Sequence, residues 1–136
     1  MGIHRSLGLN LKFNDILASY GIAQIKVLDE LLEKRGKIWN WYREDIDIID
    51  YGEESTWMVL FWSKDAEGLV GELSAGGIQA KQYYRPIHTN PPYRSSGSFP
   101  VANSVYKHVV YLPSSLGLCK PDVKRITKIV KEFENG

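Results

Sequence analysis

The chain has 136 residues, of which 43% are hydrophobic and 24% charged, and its formal net charge is +1. These values are typical of one globular domain with its own core, so we expect residues 1–136 to form a single domain. The near-neutral charge gives no electrostatic reason to expect nucleic acid or an anionic membrane surface as a partner, and no apolar run is long enough to span a bilayer. The single cysteine, Cys119, excludes an internal disulfide and favours the reducing cytoplasm.

The longest periodic stretch follows a short irregular lead-in over residues 1–7. Asn14 is a favourable N-cap, and Asp15 places a negative charge in the first turn of a helix. Apolar residues then recur at helical spacing as far as Tyr42, which predicts a long helix over 14–42. Such a helix would be roughly 42 Å long, whereas a compact domain of this size is only about 37 Å across. We therefore expect the helix either to break near Gly36 or to project past its own domain toward a partner.

The remaining part of the chain, residues 56–136, predicts a small sheet between helices. We expect strands over 56–62, 78–84 and 109–112, the first of which is apolar on both faces and so predicted to be central. Helices are expected over 65–74, over 99–108 and from Pro121 to Phe133, and an extended connection over 45–51. The predicted fold class is α+β, a three-stranded sheet covered by helices, with a long N-terminal helix.

The densest functional candidate is the stretch over residues 83–94, at the start of a long loop over 85–98, and three prolines stiffen it. Arg85, His88, Asn90 and Arg94 offer donors suited to phosphate, carboxylate or sugar hydroxyls. The alternative, a histidine between prolines that only hydrogen-bonds to backbone, stays open on composition alone.

Asn10, four residues before the N-cap, is a second candidate, because amides near a helix N-terminus suit an anion such as phosphate. The alternative is that Asn10 only completes a turn. We expect no metal site, since His4, His88 and His108 show no ligand-like pairing with Cys119 or with carboxylates. No phosphate-binding or dinucleotide-binding glycine pattern occurs.

Several of these motifs resemble one family when they are taken in order. Residues 8–16, with Ala18, Gly21 and residues 24–25, resemble the Gly-x-Asn-x-Arg…Ala-Ala-x-Gly-x-x-Gln-Leu block of the DegT/DnrJ/StrS sugar aminotransferases. The loop from Arg85 to Tyr93 resembles the family's Pro-Leu-His…Pro-x-Tyr loop. Shorter resemblances lie at 28–35, 77–78, 99–102 and 112–113, so that the chain is covered from Gly8 onward.

This resemblance implies the C-terminal domain of a fold-type I enzyme that uses pyridoxal phosphate (PLP) to aminate a keto sugar, usually on a nucleotide carrier. It also implies that this chain is only the C-terminal third, and that the large domain with the Schiff-base lysine is separate. Eleven lysines occur here, and none lies in the family's lysine motif. We therefore expect no cofactor and no transamination in this chain alone, with PLP required by the complete family enzyme.

The resemblance also carries over individual residues. Asn10 matches the family asparagine that reaches the PLP phosphate across a dimer, and His88 matches the histidine that lies toward the sugar pocket. Arg85 and Tyr93 belong to the same loop, and Lys81 replaces the family's common arginine near the end of the second strand. These four, His88, Lys81, Arg85 and Tyr93, form the expected substrate-binding set. A departure upstream, Lys12 for the usual arginine, keeps the charge but loses the bidentate geometry.

The expected partners are a second copy of the chain, in a homodimer, or an aminotransferase large domain, with a nucleotide sugar as a further ligand. Two alternatives stay open. One is a non-catalytic oligomerisation or interaction module derived from the family. The other is a small, free-standing sugar-nucleotide-binding protein that uses the loop over 85–94.

Overall fold

The computed structural model describes Ile3, Arg5, Ser6 and residues 14–52 and 57–136. The helices and strands follow one another as α1 (Asp15–Ile25), α2 (Leu28–Arg43), β1 (Val59–Trp62), α3 (Ala66–Ala75), β2 (Lys81–Gln82), α4 (Pro100–His108), β3 (Val109–Leu112) and α5 (Lys120–Asn135). Two 3-10 turns, Ile87–Thr89 and Pro91–Tyr93, lie between β2 and α4. The prediction of an α+β fold with a three-stranded sheet is confirmed.

The sheet is antiparallel, with strand order β1-β3-β2. Val59 faces Leu112 across one pairing, and Lys81 faces Tyr111 across the other. The middle strand of the three is therefore β3, whereas β1, from the segment 56–62 that is predicted to be central, has β3 on one side and an isolated antiparallel bridge between Ile48 and Phe61 on the other. An apolar strand shows that both its faces are covered, but it carries no information about which of its edges are paired. The second predicted strand shortens to Lys81–Gln82 because only these two residues pair with β3.

The core lies on one face of the sheet, under α2, α3 and α5. From the sheet it takes Val59, Phe61, Val110 and Leu112, as the alternation of strand side chains requires. Ile48 and Ile78 also belong to it, and helices supply the rest, namely Ile38, Trp39, Tyr42, Ala66, Leu69, Leu73, Val123, Ile126 and Val130.

The predicted long helix is two helices, and the break falls at Lys26–Val27 and not near Gly36. At the break, the Val27 N–H donates to the Gln24 carbonyl at 3.2 Å, and Val27 has no side-chain cap. Gly36 lies inside α2, where a glycine costs about 1 kcal/mol relative to alanine. The burial of Ile38, Trp39 and Tyr42 immediately after it outweighs that cost and keeps the helix continuous.

The first helix, α1, has the predicted N-cap but not the predicted buried face. The Asn14 side chain accepts a hydrogen bond from the Leu17 N–H at 3.0 Å. No residue of α1 is buried, and Ile16, Tyr20 and Ile25 are 79%, 65% and 68% exposed. None of the helices in the described part of the chain combines the length and the hydropathy needed to cross a membrane.

Asp45 links the end of α2 to α5 and makes the stability of the fold depend on pH. The buried Thr127 hydroxyl donates to its carboxylate at 2.8 Å, and the Lys131 ammonium lies 3.5 Å away. The hydrogen bond from Thr127, aided by the charge of Lys131, lowers the pKa of Asp45 below its ordinary value of 3.8. A lowered pKa stabilises the fold above the unfolded-state pKa, and this contribution is lost as the pH falls below about 4.

We therefore expect Asp45→Asn to lower the free energy of unfolding at pH 7 by about 1 kcal/mol, because the neutral amide can still accept from Thr127 but loses the charge-assisted part of that bond and the attraction of Lys131. The difference from wild type should shrink as the pH falls below about 4. Urea unfolding between pH 2.5 and 7 measures both effects. Asp47→Asn is the matched control, because Asp47 is exposed and has no ion pair or side-chain hydrogen bond to the described residues. An equal loss in both variants would contradict the role of the Thr127 bond.

Candidate functional site

The candidate residues follow one another along the edge of the sheet and the loop beyond it. Lys81 lies in β2, the edge strand, and Arg85 follows three residues after the strand ends. His88 lies in the first 3-10 turn and Tyr93 in the second. Asn10 lies outside the described residues, as do His4 and Lys12.

The loop is held in shape by hydrogen bonds between its own residues. The Pro86 carbonyl accepts from the Thr89 N–H at 3.0 Å and from the Thr89 hydroxyl at 2.7 Å. The Ile87 carbonyl accepts from the Asn90 N–H at 3.0 Å, and the Asn90 carbonyl accepts from the Tyr93 N–H at 3.0 Å. Asn90 is buried, so this predicted donor serves the fold of the loop.

His88 is half-buried and stacks on Phe99, with 4.5 Å between the ring centroids and 26° between the ring planes. Its ring nitrogens make no hydrogen bond to any residue that the structure describes. The alternative of a histidine that only hydrogen-bonds to backbone is therefore not what the described residues show. Stacking orients the ring and leaves both nitrogens able to donate to or accept from a ligand.

Lys81 and Arg85 are separate from His88 and line a cavity of about 300 Å³ beside β2. The guanidinium carbon of Arg85 lies 5.9 Å from the ring centroid of Tyr106 on α4. Gln82 connects the same two elements, because its side-chain amide donates to the Tyr106 carbonyl at 2.9 Å. The strand edge and the helix are thus tied together beside this cavity.

Sequence reasoning missed the tyrosines around Lys81. Tyr83 stacks on Tyr111 at 5.3 Å, and Tyr84 meets Tyr111 edge-on at 5.5 Å. Burial raises the pKa of Tyr111 well above its ordinary value of 10. A second cavity, of about 310 Å³, lies against Lys81, Tyr84 and Tyr111. Tyr111 is too far from the other three residues in sequence to be grouped with them without the register that places Lys81 opposite Tyr111.

The four expected substrate-binding residues therefore fall into two groups. Lys81 and Arg85 share a cavity, whereas His88 is oriented by Phe99 and Tyr93 is exposed in the next turn. Among the residues that the structure describes, no group of three His, Cys, Asp or Glu side chains could hold a metal ion.

The described lysines do not fit a PLP site. A Schiff-base lysine needs a shaped, desolvated pocket. Apart from Lys12, which is outside the described residues, every lysine is exposed or half-buried. Lys81, which lines two cavities, is itself exposed.

Comparison with known proteins supports the motif-based resemblance. Residues 2–131 match the model of the DegT/DnrJ/EryC1/StrS aminotransferase family. The GDP-perosamine synthase of Vibrio cholerae is 24% identical over 97% of this chain and 40% of its own length. The chain thus spans about two fifths of the length of this curated relative.

Two solved structures share the fold. PseC of Helicobacter pylori, an aminotransferase involved in pseudoaminic acid biosynthesis, superposes with a TM-score of 0.79 over 97% of this chain and 40% of PseC, at 21% identity. Spr1654 of Streptococcus pneumoniae, solved in a PLP form, gives 0.79 over 90% of this chain and 36% of Spr1654, at 22% identity. The family match, the order of the motifs and the fold agree, and the chain belongs to the DegT/DnrJ/EryC1/StrS aminotransferase family.

Proposed function

We propose that this chain is the C-terminal portion of a PLP-dependent sugar aminotransferase and that it acts together with a large domain that carries the cofactor. One observation carries the proposal: the family match covers residues 2–131, yet the chain corresponds to only 40% of the Vibrio cholerae relative and of PseC. The remaining three fifths of such an enzyme would supply the lysine that the described residues do not provide.

The surface of α1 supports a docking role. Within its eleven residues, Asp15 is the only charged one, and its large apolar side chains are exposed. A helix that is apolar around its circumference is stable in water only when other structure covers it. We propose that the large domain, in the same or a neighbouring protomer, covers this helix.

The loop supports a contribution to the active site. His88 is oriented by Phe99 with its nitrogens unused by the described residues, so it can hydrogen-bond to a sugar hydroxyl. Tyr93 adds a second exposed donor in the same loop. For Asn10, we propose the contact with the PLP phosphate across a dimer that the resemblance implies. The proposed compartment is the cytoplasm, since the chain has one free cysteine.

The exposed apolar face of α1 also favours a second candidate, a non-catalytic module that associates with itself or with a complete aminotransferase. The two functions differ in whether His88 affects turnover. Both functions require that another protein surface covers α1.

We expect this chain alone, incubated with PLP and reduced with borohydride, to yield no stoichiometric lysine adduct. The reason is that no described lysine is buried in a pocket that would desolvate it. Mass spectrometry of tryptic peptides measures the adduct, and full-length homologous enzyme treated in parallel is the positive control. One lysine modified in every molecule would contradict the proposal.

We expect Ile16→Ser to weaken docking onto the large domain about tenfold or more, because burying an isoleucine side chain is worth about 1.5–3 kcal/mol. Since Ile16 is 79% exposed in this chain, the free energy of unfolding should stay within about 0.5 kcal/mol of wild type. Sedimentation velocity and urea unfolding measure the two quantities. Gln24→Ser, on the same helix and also exposed, is the control. Unchanged docking in the Ile16 variant would exclude α1 as the docking surface.

In the reconstituted enzyme we expect His88→Asn to lower kcat/KM for the nucleotide sugar about 10-fold to 100-fold, because the shorter amide cannot place a donor or acceptor at the Nε2 position and the substrate hydrogen bond made there is lost. Assembly should be unchanged. His108→Asn is the control: its ring also stacks on an aromatic side chain, Trp62, at 5.0 Å, but it lies at the end of α4 and not in the loop. Steady-state kinetics at matched protomer concentration measures kcat/KM for the wild type and both variants. Wild-type turnover in the His88 variant would favour the interaction-module alternative.

A further inference from the structure

A cavity of about 410 Å³ between the start of α5 and the turn after α3 contains one charged group of each sign. These groups are the carboxylate of Asp122 and the guanidinium of Arg125, both on α5. The volume lies within the range of about 300–1,000 Å³ that is usual for small-molecule sites. None of the four expected substrate-binding residues lines the Asp122–Arg125 cavity, so the proposed function does not use it.

The Asp122 carboxylate is held through one of its two oxygens. The N–H and the thiol of Cys119 each donate to Oδ2 at 2.9 Å, and this capping box begins α5. The hydrogen bonds from Cys119 lower the pKa of Asp122 below its ordinary value of 3.8, so the group is negatively charged at neutral pH. The other oxygen, Oδ1, has no partner among the described residues and can accept from a ligand.

The Arg125 guanidinium is held through one nitrogen. Its Nη2 donates to the carbonyl of Gly76, the C-cap of α3. Within the described part of the chain Arg125 forms no ion pair, so its remaining N–H donors are unused. Residues three apart on a helix have Cβ atoms only about 5–6 Å apart, yet Asp122 and Arg125 form no salt bridge with each other. Each charge is therefore held in place by a neighbour that does not neutralise it.

The same cavity has an apolar lining. Ile78 and Ile126 line it and are buried, and Leu118 lines it and packs against the core. Pro113, directly after β3, adds a further apolar side chain. A ligand with an apolar group would therefore bury apolar surface beside the two charges.

Hydrogen bonds hold the walls of the cavity in shape. In the segment after β3, the Ser114 hydroxyl donates to the Trp57 carbonyl at 3.2 Å, and the Ser115 carbonyl accepts from the Leu118 N–H at 3.1 Å. On the opposite element, the Ile78 N–H donates to the Leu73 carbonyl at 2.8 Å and closes the turn after α3. A site that is formed in advance loses little conformational entropy when it binds a ligand.

Two other cavities of the chain lack this combination. In the cavity between α3 and α5, the Lys64 ammonium lies 5.5 Å from the ring centroid of Phe133, and two carboxylates, Glu72 and Glu132, accompany it. The cavity beside β2 contains cations but no carboxylate among its described lining residues. The Asp122–Arg125 cavity differs from both because it presents one unpaired charge of each sign.

We propose that the Asp122–Arg125 cavity binds an α-amino acid with an apolar side chain, in its zwitterionic form. Oδ1 of Asp122 accepts from the ammonium group, and the planar fork of Arg125 donates to the carboxylate. An ion of a single sign would leave one of the two protein charges unpaired, whereas an amino acid carries both of its charges on adjacent groups. The inference goes beyond the proposed function and does not rest on it.

Titration of the isotope-labelled chain with L-leucine at about pH 6.5, where the α-amino groups of leucine and leucinamide are protonated, tests the proposal. We expect saturable amide shifts at residues 77–79, 114–118 and 122–126. N-acetyl-leucine lacks the ammonium charge and leucinamide lacks the carboxylate, so each should bind at least about tenfold more weakly than leucine. Glycine should also bind at least about tenfold more weakly, because it has no apolar side chain to bury.

This ligand series uses the wild-type chain and so does not depend on variants that fail to fold. Equal affinity for leucine, N-acetyl-leucine and leucinamide would overturn the proposal, as would shifts that do not saturate.

Variants then assign each charge to its partner. Arg125→Gln should weaken leucine binding about tenfold and abolish the preference for leucine over leucinamide. Asp122→Asn should abolish the preference for leucine over N-acetyl-leucine. The matched control is Lys124→Gln, because Lys124 is an exposed cation on α5 that does not line the cavity. Equal weakening in the Arg125 and Lys124 variants would contradict the assignment of the cavity.

Discussion

Tyr42 connects the two elements on which the rest of the fold depends, helix α2 and the end of the central strand β3. Its side chain is fully buried in the core at the end of α2, and its hydroxyl donates to the Pro113 carbonyl, directly after β3, at 2.9 Å. Val123 and Val130 of α5 belong to the same core. A buried hydroxyl left without a partner costs about 1–3 kcal/mol, so α2 and the end of the central strand cannot shift independently. The segments anchored in this way form the core of the chain.

Burial in the core begins only in the second half of α2, and this explains why α1, which precedes it, is exposed. Ile38, Trp39 and Tyr42 are buried, whereas no residue of α1 is buried and the helix breaks at Lys26–Val27. The free energy that α1 would gain from burying its apolar side chains is thus not realised within the described chain. In a family member that spans about two fifths of the Vibrio cholerae relative, this exposed apolar helix supports the proposed docking role.

The central position of β3 determines where the candidate residues lie. Because β3 pairs with both neighbours, β2 becomes an edge strand, and the loop that follows it leaves the sheet at the surface. Lys81 and Arg85 then border a cavity between β2 and α4, and His88 stacks on Phe99 in the loop. The charges and the histidine are thus placed by different interactions, a strand edge in one case and ring stacking in the other.

Local chemistry in the sequence determined several elements correctly. These include the Asn14 cap, Pro100 in the first turn of α4, the strand over 109–112 and the final helix. In each, the capping or periodicity that forms the element is contained in a few neighbouring residues. The order of the motifs also indicated the family, which the family match confirmed.

Only the tertiary structure decided the central position of β3, the break at Lys26–Val27 and the placement of Lys81 and Arg85 beside one cavity. Each depends on contacts between residues far apart in the chain. A strand's apolar pattern is the same at an edge as in the centre, and Gly36 stays helical because of core residues that pack against other elements. The sequence by itself therefore determined most of the segments that form helices and strands, whereas packing between them decided where two of these segments break or shorten, which surfaces are covered and which remain open to a partner or a ligand.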